Sequence, residues 1–291
     1  MTTATLRPTT VRTSTQAGRP RRQRSVGLHI ALIAGLVVMV MPFVWMILSS
    51  FKLTRELRRH PTRWIPDEPT LQNYRDLFDR LDFPRYFFNS TVVALAVTAG
   101  NLLFCSMLGY ALAKLQFPGK RVLLVVMLGT LMIPAVVTFV SLFVIVTNMN
   151  LNNTHLGLIL PFLVGAFGAF LMRQYILGIP DELLDAARVD GAGEYRIFFR
   201  IVLPLCGPAL ATLGVLSFLA SWNNFLWPLV VASTEDMYTL PVALALFAIG
   251  QQESNIGLQM AGAAVFVVPI IVLFFAMQRY VIRGIATSGL K

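Results

Sequence analysis

Between residues 181 and 204 the chain reads DELLDAARVDGAGEYRIFFRIVLP. Five acidic and four basic residues fall between 173 and 200, while other stretches of 25 residues and more carry no Asp, Glu, Lys or Arg. Carboxylates and guanidiniums at this density pair with each other or dock onto a charged partner. They do not form a catalytic centre here: no nucleophile–base pair, acid–base carboxylate pair or metal-ligand cluster accompanies them. His29, His60 and His155 are scattered, and Cys105 and Cys206 lie in or beside apolar runs as small packing residues. Gly119-Lys120 lacks the upstream glycine and the following Ser or Thr of a phosphate loop. The expectation is a chain with no catalytic residue, no metal and no cofactor of its own.

Two short helices must present those charges. Pro180 suits a helix start, and Asp181 can cap the exposed amides. Leu183, Leu184 and Ala187 recur at one-turn spacing, which gives a single apolar stripe and leaves Asp181, Asp185 and Arg188 pointing elsewhere. Gly191 ends the helix and is expected at positive φ. A second helix, GEYRIFFRIV, is expected to run to Pro204. A helix lying flat on lipid is the alternative. Anionic lipid would select Lys and Arg alone, and the mixed charge favours a protein-docking surface.

The surrounding chain is that of an integral membrane protein. Of 291 residues 56% are hydrophobic and 13% charged, against roughly 25% charged in soluble domains; mean hydropathy is +0.69. Charge-free runs cover 27–51, 86–113, 122–172, 201–234 and 254–278, and the 122–172 run is divided by NMNLNNT. At roughly 20 residues per span this predicts an all-α fold with six spans, near 27–49, 89–113, 122–146, 155–175, 206–231 and 258–279. Pro134 is expected to kink the third span. The apolar stretch 240–250 is too short to cross and is expected to dip back from an outside loop.

Lys and Arg number six before residue 27, three at 114–121, four at 173–200 and three from Arg279 on, with none at 147–155 or 232–257. That alternation puts both termini and the 176–204 loop in the cytoplasm. The segment 51–88 departs from it with eight basic residues, but it also holds six acidic ones, and parity over six spans places it outside. The domains expected are a disordered basic tail over 1–26, a six-span membrane body over 27–282 and a cytoplasmic tail over 283–291. The first span is too long for a cleaved signal and is expected to be retained. The net charge of +10 is distributed by topology, not gathered into a nucleic-acid surface.

No ionisable residue lies at the centre of a predicted span, which weighs against proton- or sodium-coupled carriers. The polar and aromatic candidates for a solute path are Asn101, Ser217, Trp222, Asn223 and Asn224, each of which also suits helix packing.

The segments Asp185-Ala186-Ala187, Asp190-Gly191-Ala192, Phe198-Phe199 and Ile201-Val202-Leu203-Pro204 resemble the cytoplasmic EAA motif of permease subunits in binding-protein-dependent ABC importers. Asp185 stands where Glu is usual. FKLTREL, PTLQNYRDLF, NSTVVALAVTAGN, SWNNFLWPL and RGIATSGLK extend the resemblance over most of the chain after about residue 27, to the maltose-permease-like second subunit of the carbohydrate branch. The resemblance implies a type I importer fold in a prokaryotic plasma membrane. It implies a second permease subunit, two ATPase subunits carrying ATP and Mg, an extracytoplasmic binding protein and a sugar substrate. Asp185, Ala186, Ala187, Asp190, Gly191 and Ala192 would form the coupling element seated on an ATPase. Gln251, Gln252, Glu253, Ser254 and Asn255 would form a loop reaching into the binding protein, and the C-terminal tail would insert between the ATPases. The alternatives are an ABC permease for another solute, such as an amino acid or a glycerophosphodiester, and a secondary carrier or membrane enzyme.

Overall fold

A computed structural model describes the backbone of residues 26–250 and 255–288, and among these every regular element is helical. The basic tail before Val26, Gln251–Ser254 of the loop expected outside, and Gly289–Lys291 lie outside the described residues. The chain divides into two units, Met1–Val44 and Trp45–Lys291. In the first, α1 (Val26–Ser50) begins, and its residues 27–44 are exposed throughout and, His29 apart, carry no polar side chain.

The segment expected as a loop after span one contains α2 (Thr54–Arg59) and α3 (Gln72–Arg80). Asn73 closes it by donating to the carbonyls of Ser50 at 2.8 Å and Lys52 at 2.7 Å. Next, α4 (Phe83–Gly100), a π turn (Asn101–Cys105) and α5 (Ser106–Lys114) run as one helix of 32 residues.

The third expected span is broken, not merely kinked. The helices α6 (Lys120–Thr130) and α7 (Ala135–Asn148) meet at 106°. Pro134 has no N–H and drives the preceding residue out of the helical region; Leu131, Met132 and Ile133 close off α6 with tightened i→i−3 bonds. The fourth consists of α8 (His155–Ile159), a 3₁₀ turn and α9 (Ala166–Leu177), bent by 43° around Leu163–Gly165.

In the 176–204 segment, α10 spans Asp181–Val189 and α11 Glu194–Ile197. The second helix of that segment is not uniform: it passes through a π turn (Phe198–Val202) into α12 (Leu203–Leu205), then turns by 81° at Cys206 into α13 (Gly207–Trp222). The fifth span was expected to continue to 231. It stops instead at Trp222 and restarts as α14 (Leu226–Val231). Asn224 Oδ1 accepts from Trp227 N, and Pro228 is tolerated only because it lies in the first turn of the new helix. The short apolar stretch forms α15 (Leu240–Gly250), and α16 (Ile256–Ser288) closes the chain.

Among the described residues, three helical segments are long and apolar enough to cross a membrane, and up to six do if each bent pair counts as one. Small residues set the packing. A Cβ on Gly109 would lie 2.8 Å from Arg173 N and 2.8 Å from Met172 Cβ, so α5 and α9 touch backbone to backbone there. The core joining them includes Cys105, Leu112, Ala169, Met172, Ile176 and Leu213, and it reaches into the 176–204 segment through Leu184 and Ile197.

Candidate functional site: an exposed helix and an apolar cavity

The spacing Ala187…Asp190-Gly191-Ala192 has a backbone explanation. Asp190 is the last half-helical residue of α10. Gly191 follows at φ +79, as its type led one to expect. Gly191 N donates to Arg188 O at 3.0 Å and Ala192 N to Ala187 O at 3.0 Å. These are the two bonds of a Schellman helix stop, and Ala187 and Ala192 are the pair its hydrophobic contact joins. Only a residue free of Cβ strain fits the left-handed position at 191.

One capping expectation fails. Asp181 is the first residue of α10, but its side chain caps no amide. Its Oδ1 instead takes a 2.6 Å hydrogen bond from Lys114 Nζ, an ammonium only 5% exposed. That bond holds the Asp181 carboxyl below the usual carboxylate range. Asp190 likewise does not cap α11, which begins after Gly193. Asp185 Oδ1 and Glu194 Oε1 both accept from Arg188, at 2.7 and 2.9 Å. Glu194 is pulled below its ordinary pKa, chiefly by Arg188 and then by Tyr110, and Arg188 is raised in turn.

One face of α10 is anchored and the other is bare. Leu184 is fully buried, whereas Val189 is 87% exposed and Leu183, Ala186 and Asp185 are exposed beside it; Tyr195 on α11 is exposed too. An apolar and acidic surface outside any lipid-crossing helix is suited to a protein partner.

The second feature is a cavity of about 490 Å³ among α4, α8, α9 and α13. It gathers four of the five expected path residues, Asn101, Ser217, Trp222 and Asn224. Asn223 is not among its lining: it is exposed, and its amide turns back to Leu219 O at 2.8 Å. Trp222 contributes little more than an edge. It is 1% exposed, Phe218 and Phe266 stack against it with centroids 5.6 Å away, and its Nε1 donates to Phe266 O. Asn101 stands at the start of the π turn and bridges Val97 O (3.1 Å) and Phe162 O (2.7 Å); such turns frequently mark functional positions in helices.

Three lining hydroxyls were not anticipated, those of Ser90, Ser221 and Thr239. Ser90 Oγ accepts from Leu240 N at 2.7 Å. Thr239 Oγ1 is buried and has no partner among the described residues. The walls are otherwise mainly apolar, with Val93, Val97, Phe162 and Leu213 among them. Such a chamber can contain a polar solute without gripping it.

At the loop expected to meet a binding protein, only Asn255 is described, and it has structural work. Its Oδ1 accepts from Leu258 N at 3.1 Å, capping α16, and from Thr54 Oγ1 at 2.5 Å. No group of three or more His, Cys, Asp or Glu suited to a metal occurs among the described residues.

Residues 105–287 match the family model described as "Binding-protein-dependent transport system inner membrane component". The chain belongs to that family. It is a membrane-integral transport permease and not a catalytic subunit. The arabinooligosaccharides transport system permease protein AraQ of Halalkalibacterium halodurans is 42% identical over 257 residues, which is 87% of this chain and 92% of the relative. The diacetylchitobiose uptake system permease protein NgcG of Streptomyces coelicolor is 33% identical over 90% of this chain and 87% of its own length. The permease also superimposes on a chain of a bacterial ABC transporter involved in the import of the acidic polysaccharide alginate. That match has a TM-score of 0.79 at 22% identity and covers 90% of this chain and 99% of the other; it establishes a shared fold.

Proposed function

We propose that this permease is one of two membrane-spanning subunits of an ATP-driven importer for a sugar or oligosaccharide. It crosses a prokaryotic plasma membrane six times, with α1, α4–α5, α6–α7, α8–α9, α13 and α16 as the spans and both termini in the cytoplasm. The cavity at Asn101 forms this subunit's half of the solute path. An extracytoplasmic binding protein delivers the sugar. ATP and Mg are held by two separate ATPase subunits, and the face of α10 carrying Asp185, Ala186 and Val189 docks on one of them.

The observation that carries the reading is α10 itself. It is an exposed helix stopped by a Schellman turn and rooted through Leu184 in the core that lines α5 and α9. The similarity to oligosaccharide permeases supports the substrate class. The test is uptake by cells deleted for this chain, over a panel of labelled oligosaccharides, amino acids and glycerol phosphates, beside recovery of an ATPase with the tagged permease. Loss of oligosaccharide uptake with a co-purifying ATPase is expected. Loss confined to amino acids or glycerol phosphates would overturn the sugar assignment, and a permease purified without any ATPase would overturn the coupling role.

A further inference from the structure

A helix elsewhere in the chain holds α10 at both ends. Tyr110 and Lys114 are one turn apart on a single face of α5. Lys114 Nζ donates to Asp181 Oδ1 and to Ile179 O, both at 2.6 Å, and so grips the first residue of α10 and the backbone leading into it. Tyr110 Oη donates to Glu194 Oε2 at 2.5 Å, and Glu194 in turn takes Arg188 from the last turn of α10. Tyr110 is buried against Phe198, with ring centroids 5.5 Å apart. Lys114 is nearly enclosed although its partner carboxylate is 73% exposed. An enclosed ammonium is costly without its acceptors, which makes the pair an anchor and not a loose surface contact.

From this grip α5 continues without a break into the cavity wall. Asn101, 13 residues before Lys114, lines the chamber about 20 Å away along the helix. The π turn at Asn101–Cys105 lies between chamber and grip. Chain continuity already ties α10 to α9 and α13. The Tyr110–Lys114 clamp adds a third, non-covalent link to a helix remote in sequence.

We infer that Tyr110 and Lys114 are positioning residues that transmit displacement of the docking helix to α4–α5 and so to the cavity wall. This rests on the proposed function, because it needs an ATPase to move α10. With the clamp cut, the ATPase still binds α10 and cycles, but the wall at Asn101 no longer follows it. The signature is uncoupling: ATP is consumed with less sugar moved.

The test uses the whole complex, purified and reconstituted in vesicles with its binding protein, and reads sugar transported per ATP hydrolysed. Lys114→Met removes the ammonium and leaves an exposed carboxylate that water can satisfy. Tyr110→Phe removes one hydroxyl and keeps the ring packing, so folding is preserved. For Lys114→Met the ratio is expected to fall about five-fold or more, the lower end of ordinary coupling energies, with ATPase recovery unchanged. Tyr110→Phe falls in the same direction by less, and Lys114→Arg restores most of the ratio. A wild-type ratio in both Lys114→Met and Tyr110→Phe overturns the inference. So does a proportional loss of complex, hydrolysis and uptake at unchanged ratio, which would mean that the contacts only fold the loop. Failure of the wild-type permease to retain an ATPase is a separate result: it defeats the proposed function, and this inference with it, before any variant is compared.

Discussion

Substitution at Gly191 separates backbone conformation from contact. Its φ of +79 is required by both bonds of the turn, Gly191 N to Arg188 O and Ala192 N to Ala187 O. An L side chain in that region costs about 1–2 kcal/mol, a factor of roughly 5–30 in the population of the native turn. A Cβ built there meets nothing within 4 Å of this chain, so conformation is the whole intramolecular cost. Asn enters the left-handed region more readily than Ala, and a β-branched residue least readily. Uptake should therefore fall in the order Gly, Asn, Ala, Val. Protein level should stay constant, because Leu184 still anchors α10 in the core. The assay is labelled-sugar uptake normalised to permease in the membrane, with ATPase recovery measured alongside. Wild-type uptake by Gly191→Val would refute the claim that this turn presents the docking helix. Asn as damaging as Val would refute the conformational argument and assign the loss to side-chain bulk against a partner.

Four further outcomes are expected. Asp185→Ala should reduce uptake by less than about five-fold, since Asp185 pairs with Arg188 in an exposed setting worth roughly 0–1 kcal/mol and Arg188 keeps Glu194; uptake titration measures it. Gly109→Val should lower permease level and thermal stability in detergent by overpacking, at least about 1–3 kcal/mol, because its Cβ would lie 2.8 Å from the α9 backbone. Deleting Gln251–Ser254 should reduce binding-protein stimulation of ATP hydrolysis while leaving assembly intact, whereas a deletion extended through Asn255 also removes the α16 cap and should lower the level as well. The carboxyls of Asp181 and Glu194 are both held below their ordinary range. Their contribution is complete above about pH 4–5 and lost only as pH falls through the depressed values. ATPase recovery should thus be flat from about pH 8 to 5, and a decline already at pH 6 would contradict those pairings.

The parts of the fold legible in the sequence are those encoded within a few residues. Pro180, the Leu183–Leu184–Ala187 stripe and Gly191 delimit α10 because a helix's start, face and stop are local matters. Hydropathy marks where apolar chain lies but not how it is cut. Pro134 announced a bend, yet the 106° turn also needed the i→i−3 closure of α6. The stop at Trp222 came from Asn224 and the position of Pro228 within the following turn. Length ruled out a span at 240–250, and the stretch does fold back, with Leu240, Val242 and Ala243 buried; its helical form was not legible.

The site divides in the same way. The residues of the exposed helix are contiguous and its bounds could be read directly, but what holds it could not. Lys114 counts in the sequence as one more cytoplasmic cation, and nothing near it in the chain points to a carboxylate 67 positions later. Ser90 and Thr239 carry no periodic signal and meet at the cavity only because α4 receives the Leu240 amide across 150 residues. Trp222 and Asn101 were expected as path candidates and do line the cavity, but Phe218 and Phe266 stack on the Trp222 ring, and Asn101 spends its amide on two carbonyls. In the proposed path the Trp222 ring and the Asn101 amide are committed to the protein and so add little grip on a solute. In an importer fed by a separate binding protein, affinity for the solute belongs to that protein, and a weakly binding path lets the solute leave.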